Sequence, residues 1–181
     1  MKTIQIDDLT FTPFIGRTEI ESRVAELGHK ISADYKNKQP VFIGVLNGCF
    51  MFMSDLLKNI SIPCEMSFVK LASYEGLEQG DIHELIGLGM DIKDRHIIVV
   101  EDVVDSGNSI KYTLEALDNI GVASISVCSL LLKPTCLQHD ITNLDYIGFE
   151  IAPEFVIGYG LDYNGLFRNL PDIYRESSVK K

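Results

Sequence analysis

No run of 18 apolar residues occurs anywhere in this 181-residue chain, so no segment reads as a membrane-spanning helix. The N-terminus, Met1-Lys-Thr-Ile-Gln-Ile-Asp-Asp8, has no apolar signal region, and a cytoplasmic location is expected. Basic charge is scarce: 16 Lys and Arg stand against 26 Asp and Glu, a net charge of -10. That balance argues against broad nucleic-acid binding. It does not exclude a phosphorylated substrate, because backbone amides, a few bases and Mg²⁺ can build a local anion site. The four cysteines, Cys49, Cys64, Cys128 and Cys136, lack metal-ligand spacing. The first three lie in apolar surroundings and read as reduced core or near-core thiols of a cytosolic protein. Internal repeats, low-complexity tracts and linkers are absent too. One domain over 1–181 is therefore expected, large enough for a real core. A hydrophobic content of 46% with 23% charged residues fits a soluble globular protein.

The most informative stretch lies between Arg95 and Leu117. Four branched apolar residues, 97–100, suit a strand buried on both faces. Glu101 and Asp102 end that run. Val103 and Val104 follow, then Asp105 and a small polar loop, Ser106-Gly107-Asn108-Ser109. Helical spacing then takes over at Ile110, Leu114, Leu117 and Ile120. A helix N-terminus behind a glycine loop is a phosphate site, and three carboxylates beside it suggest a metal or a polyhydroxyl partner.

Upstream, Thr18-Glu19-Ile20-Glu21 fits a capping box. Ile20, Val24, Leu27, Ile31 and Tyr35 then form one apolar helical face. Residues 41–46 read as a second buried strand, running through Asn47-Gly48 into a helix over 49–57. Taken alone, Asn47-Gly48 also fits an ordinary strand-to-helix turn. A strand over 65–71 precedes a glycine-bearing loop over 73–81, which fits a mobile segment or a surface hairpin. A short return strand is expected over 85–90, a long one over 123–132 and two short ones over 146–149 and 155–159. Alternating strands and helices imply an α/β protein with a mainly parallel sheet and right-handed crossovers. Ligands of such sheets sit at the carboxyl ends of the strands. Here those ends carry Asn47-Gly48, residues 101–109, Lys133 and Asp162.

The central stretch, Ile97-Ile-Val-Val-Glu101-Asp102-Val-Val-Asp105-Ser106-Gly107-Asn108-Ser109, closely resembles the ribose-pyrophosphate signature of the type I phosphoribosyltransferases. The resemblance continues in order from about 41 to 168. Val45-Leu46-Asn47-Gly48 is similar to the family's pyrophosphate loop, and Ser73-Tyr74 to its catalytic lid. Lys133-Pro134, Phe155-Val156, Asp162 and Phe167-Arg168 resemble the purine end of its hypoxanthine-guanine members. The fold implied is a Rossmann-like, mainly parallel central sheet flanked by helices. The N-terminal segment and about 133–181 would form a small hood, and a flexible lid loop would cover the site. The implied reaction is purine salvage. A free 6-oxopurine and 5-phospho-α-D-ribosyl 1-pyrophosphate give IMP or GMP and pyrophosphate, with Mg²⁺ as cofactor.

The resemblance also implies roles. Glu101 and Asp102 hold the ribose hydroxyls, directly or through Mg²⁺. Val104, Asp105, Ser106, Gly107, Asn108 and Ser109 wrap the 5-phosphate. Leu46, Asn47, Gly48 and Arg168 contact pyrophosphate. Asp105 is the general acid/base at purine N7, a task that suits a carboxylate whose apolar neighbours, such as Val103 and Val104, raise its pKa. Lys133 donates to the purine 6-oxo group, Phe155 stacks on the base, and Val156 lends backbone groups. Asp162 joins Glu101 and Asp102 as a metal ligand. A homodimer or homotetramer is implied, with no nucleic-acid or membrane partner.

Two positions depart from the family pattern. Asn47 stands where relatives often carry Lys or Arg, which limits it to a backbone role in the family's non-proline cis peptide. Cys136-Leu137 lacks an arginine common there. The alternatives are an enzyme for xanthine and a non-catalytic sensor of the ribosyl pyrophosphate. The sensor would lack Asp105 and Ser73-Tyr74 and would carry a DNA-binding segment. Ranking of hypoxanthine, guanine and xanthine is left open by side-chain identity.

Overall fold

A computed structural model describes residues 2–73, 82–86 and 89–177. In chain order its elements are β1 (Ile4–Ile6), β2 (Leu9–Ile15), α1 (Arg17–Asp34), β3 (Val41–Leu46), α2 (Phe50–Lys58), β4 (Glu65–Ser73), β5 (Ile82–Ile86), β6 (His96–Val104), α3 (Asn108–Ile120), β7 (Ser124–Leu132), a 3₁₀ turn (Pro134–Cys136), β8 (Leu144–Glu150), β9 (Val156–Ile157) and β10 (Ile173–Glu176). Two sheets result. The larger has the order β5-β4-β3-β6-β7-β8, and the smaller β1-β2-β10-β9. In the larger sheet the five strands from β4 to β8 pair in parallel, while β5 adds an antiparallel edge.

The apolar run 97–100 is explained by what lies on each side of the sheet. Ile98 and Val100 pack with α1 and α2 through Ile20, Val24, Leu27, Phe52 and Leu56. Ile97 and Val99 face the opposite way, into a cluster with Ile110 and Leu117 of α3. Both strand faces are dry, so every position must be apolar. Each such side chain, fully buried, contributes about 1.5–3 kcal/mol.

Several boundaries differ from the sequence reading, each for a local reason. The capping box at Thr18 does not form, because α1 starts two residues earlier, at Arg17 behind Gly16. The carboxylate of Asp172, far along the chain, accepts the Arg17 N–H at 2.7 Å. Glu21 instead pairs with the Arg17 guanidinium at 2.6 Å. Asn108 and Ser109 are not loop residues but the first turn of α3. Ile120 at the far end of α3 is 42% exposed, so the apolar face stops at Leu117, with Thr113 buried in the same face. The return strand is residues 82–86 rather than 85–90. Cys64 is exposed, whereas Cys49 and Cys128 are buried as expected; all four thiols are free. Ser73 closes β4, and the remainder of the expected lid, including Tyr74, lies outside the described residues. The antiparallel sheet of β1, β2, β9 and β10 draws on residues 4–15, 156–157 and 173–176. Among the described residues no helix is long and apolar enough to cross a membrane.

The topology locates the site. From β3 the chain crosses to β4 on one side; from β6 it crosses to β7 on the other. The crevice between the carboxyl ends of β3 and β6 is thus a topological switch point. Residues 46–48 and 101–109 meet there.

Candidate active site

Glu101 and Asp102 do not end β6, as the sequence suggested. The ladder to β7 runs through them, pairing Glu101 with Ser129, Val103 with Leu131 and Val104 with Leu132. Parallel pairing on that side holds the acids on a rigid strand. Glu101 is 6% exposed. Burial, and then the charge of Asp102, push its carboxyl well above the usual glutamate range. Asp102 is also raised, chiefly by burial. Backbone N–H donation, including that of Val103 at 2.9 Å, and the Arg168 guanidinium oppose that shift, while Asp162 adds to it. Beneath them the Cys49 thiol is pushed up by burial and by the same two acids, so it stays protonated.

Asp105, Ser106 and Gly107 connect β6 to α3. Gly107 has φ +84°, a left-handed conformation that costs a side-chain residue energy and glycine nothing. A Cβ there would also lie 2.7 Å from Ile141 Cδ1. The Asn108 N–H reaches the Ser106 hydroxyl at 3.4 Å, and Lys111 N–H makes the first helical bond to Gly107 O at 2.9 Å. Glu101, Val104, Ser106, Gly107 and Ser109 line a concavity of about 110 Å³ at this turn. First-turn amides, two hydroxyls and the helix dipole suit it chemically to an anion the size of phosphate.

At the end of β3 the Leu46–Asn47 peptide is cis, matching the expectation for this loop, and Asn47 itself is exposed. Gly48 is buried directly against Asp102: a Cβ would overlap the carboxylate. On the other side Gly160 packs on the Gly48 carbonyl. Arg168 donates to Gly160 O at 2.6 Å and pairs with Asp162 at 2.6 Å. Asp162 also accepts the Gly165 N–H at 2.7 Å. The structure therefore brings Gly48, Asp102, Asp162 and Arg168 into one connected group.

Lys133 is 9% exposed, and its ammonium meets the Asp105 carboxylate at 2.6 Å. This corrects the expected setting of Asp105. Val103 and Val104 pack into the clusters on the two sides of the sheet, and the half-exposed Asp105 side chain faces a cation instead. Phe155 is 42% exposed, braced at 6.0 Å by both Phe11 and Tyr163, and Tyr163 follows Asp162 in the chain. Val156 is buried in β9.

The donor set suits a hard cation such as Mg²⁺. Two adjacent carboxylates, Glu101 buried and Asp102 half-buried, have upward-shifted affinities for protons, and a divalent ion would relieve the same charge. Among the described residues no three candidate ligands converge on one point, and both Asp162 oxygens are engaged. An ion here would take its other ligands from substrate oxygens and water. Sequence reasoning missed Gly160, Phe11, Tyr163 and the segment around His139. The alternation Leu9-Thr-Phe-Thr-Pro-Phe-Ile15 was a usable signal for β2 and hence for Phe11.

A family model described as "Phosphoribosyl transferase domain" matches residues 16–164. Hypoxanthine phosphoribosyltransferase of Salmonella typhimurium is 38% identical over 166 residues, 90% of this chain and 93% of its own. Hypoxanthine-guanine phosphoribosyltransferase of Bacillus subtilis is 38% identical over 161 residues, 88% and 89% of the two chains. The crystal structure of a hypoxanthine phosphoribosyltransferase from Staphylococcus aureus superposes with a TM-score of 0.86 at 35% identity, covering 91% of this chain and 90% of that one.

Proposed function

The chain belongs to the phosphoribosyl transferase family, and from that premise we propose that it joins a free 6-oxopurine to 5-phospho-α-D-ribosyl 1-pyrophosphate, yielding IMP or GMP and pyrophosphate in purine salvage. The observation that carries the choice of base is the Asp105–Lys133 pair at 2.6 Å beside the phosphate turn. O6 and N7 of a 6-oxopurine are neighbours on one edge. The ammonium donates to O6 and the carboxylate accepts the N7 proton, so the pair matches that edge. Adenine presents an amino group to an ammonium, two donors facing each other.

Taking the N7 proton raises the nucleophilicity of N9, which attacks the anomeric carbon as pyrophosphate leaves. Asp105 is the general base of this step. Glu101 and Asp102 accept the ribose hydroxyls; Val104, Ser106, Gly107, Asn108 and Ser109 receive the 5-phosphate. Leu46, Asn47 and Gly48 offer backbone to the pyrophosphate, and Arg168 offers charge. Phe155 stacks on the base, and the backbone of Val156 borders it. Glu101 and Asp102, together with substrate oxygens, would hold Mg²⁺, which would neutralise the charge that builds on the leaving group; Asp162, the third expected ligand, would join them on giving up Arg168 or the Gly165 N–H. The protein works in the cytoplasm as a homodimer or homotetramer.

The test is nucleotide formation from hypoxanthine, guanine, xanthine and adenine, each with the ribosyl pyrophosphate and Mg²⁺. Turnover with hypoxanthine or guanine at least 10²-fold above adenine is expected, on the scale of a mispaired polar group in a site built for hydrogen bonding. No turnover with any 6-oxopurine would overturn the proposal.

A further inference from the structure

The segment after Lys133 follows the phosphate turn residue by residue. Lys133 N–H donates to Val104 O at 3.0 Å, and its ammonium meets Asp105. Gln138 N–H donates to Ser106 O at 3.0 Å. Ile141 and Leu137 occupy the space a Cβ on Gly107 would need. Asn108 completes the set. Its Oδ1 lies 2.7 Å from His139 Nε2, and its Nδ2 donates to Gln138 Oε1 at 3.4 Å. An amide oxygen only accepts, so His139 donates through Nε2–H. Each residue of 104–108 therefore has a partner in 133–141. Leu137 and Ile141 share one apolar cluster with Val104 and Ile110, which anchors the segment to the core.

Asn108 is the first residue of α3. A short amide side chain beside the Gly107 cap can hydrogen-bond neighbouring backbone amides in place of an outside ligand. Those amides are the ones a phosphate needs. Both ends of the Asn108 amide are instead held from outside the helix, by His139 and Gln138.

We infer that residues 137–141 form a latch on the phosphate turn, with His139 as the positioning residue that keeps the Asn108 side chain off the amides that receive the ribose 5-phosphate. The inference rests on the reaction proposed above and deepens it. The latch continues directly from Lys133, so the turn that holds phosphate and the residue that reads the base are one mechanical unit. Cys136-Leu137 within the segment carries no charge, so the hold on the Asn108 side chain comes from His139 and Gln138.

The test compares His139→Ala, His139→Gln, Asn108→Ala and the double variant His139→Ala/Asn108→Ala. His139→Ala should raise KM for the ribosyl pyrophosphate about threefold to tenfold, the scale of one hydrogen bond, while kcat and KM for hypoxanthine stay within twofold. The glutamine amide can replace Nε2–H, so His139→Gln should restore most of the loss. The double variant should be no worse than Asn108→Ala, because the histidine acts only through that side chain. An active wild type with unchanged KM in His139→Ala would overturn the latch alone. Equal losses for Ala and Gln, or additive losses in the double variant, would also overturn it. A wild type that neither binds the ribosyl pyrophosphate nor forms nucleotide would overturn the reaction and the latch together.

Discussion

Replacing Lys133 by methionine removes one ammonium and little else. The residue is 9% exposed, and an unbranched methionine fills the space its stem occupies. The backbone bond from residue 133 to Val104 O is untouched. Asp105 loses its partner, but half of its side chain faces solvent and can be rehydrated. The stability change should therefore stay within about 1 kcal/mol, the range for a pair with one exposed member. Catalysis should suffer more. A hydrogen bond from a charged donor to the purine 6-oxo group is worth about 1.5–3 kcal/mol. At about 1.4 kcal/mol per tenfold, kcat/KM for hypoxanthine should fall by about 10- to 150-fold. Adenine should gain relative to hypoxanthine, because the donor–donor clash has gone. The assay is kcat/KM for both bases at saturating ribosyl pyrophosphate, with a thermal melt as control for folding. A Lys133→Met enzyme that melts normally and keeps its hypoxanthine kcat/KM within twofold would refute the reasoning.

Glu101→Gln should stabilise the cation-free protein at neutral pH. Burial raises the folded carboxyl above the ordinary glutamate value of 4.5, so its stabilising contribution is complete below that pH and is lost as pH rises through the folded value. Each unit of upward shift is worth about 1.4 kcal/mol, and about 1 kcal/mol moves the melt of a chain this size by about 2–4 °C. Melts against pH should coincide near pH 4 and diverge above it in favour of glutamine; a wild type as stable as the variant at pH 8 would contradict this. Gly48→Ala should push the Asp102 carboxylate out of place. Overpacking of this kind costs about 1–3 kcal/mol and should lower kcat/KM along with the melt; an alanine variant with normal activity and melting would show that the loop and Asp102 can part freely.

Much of the scaffold was legible because its causes are local. The strand 41–46 and the face Ile20, Val24, Leu27, Ile31 and Tyr35 follow from apolar periodicity, and both appear as read. The strand through 97–104 was legible as far as Val100. Its continuation was not, since two acids look like a strand end until β7 is there to pair with Glu101, Val103 and Val104. What escaped depends on distant partners. Helix α1 is capped by Asp172, 155 residues away, and β9 is a strand only because β10 lies beside it. Lys133 and Asp105 were both singled out, yet their contact spans 28 residues and changed the expected surroundings of the acid. His139 carried no signal at all. A lone histidine in a polar stretch acquires meaning only when the fold sets it against Asn108.

The central claim is that Asp105 handles the purine proton while its neighbours hold the ribose phosphate. Asp105→Asn tests it most directly, through ribosyl-pyrophosphate affinity and kcat measured on the same preparation. The asparagine keeps the size and the turn but cannot take a proton. Affinity should stay within a few-fold while kcat falls by about 10²–10⁴, the range of general acid–base catalysis. An unchanged kcat, or a loss of affinity that accounts for the whole effect, would contradict the account.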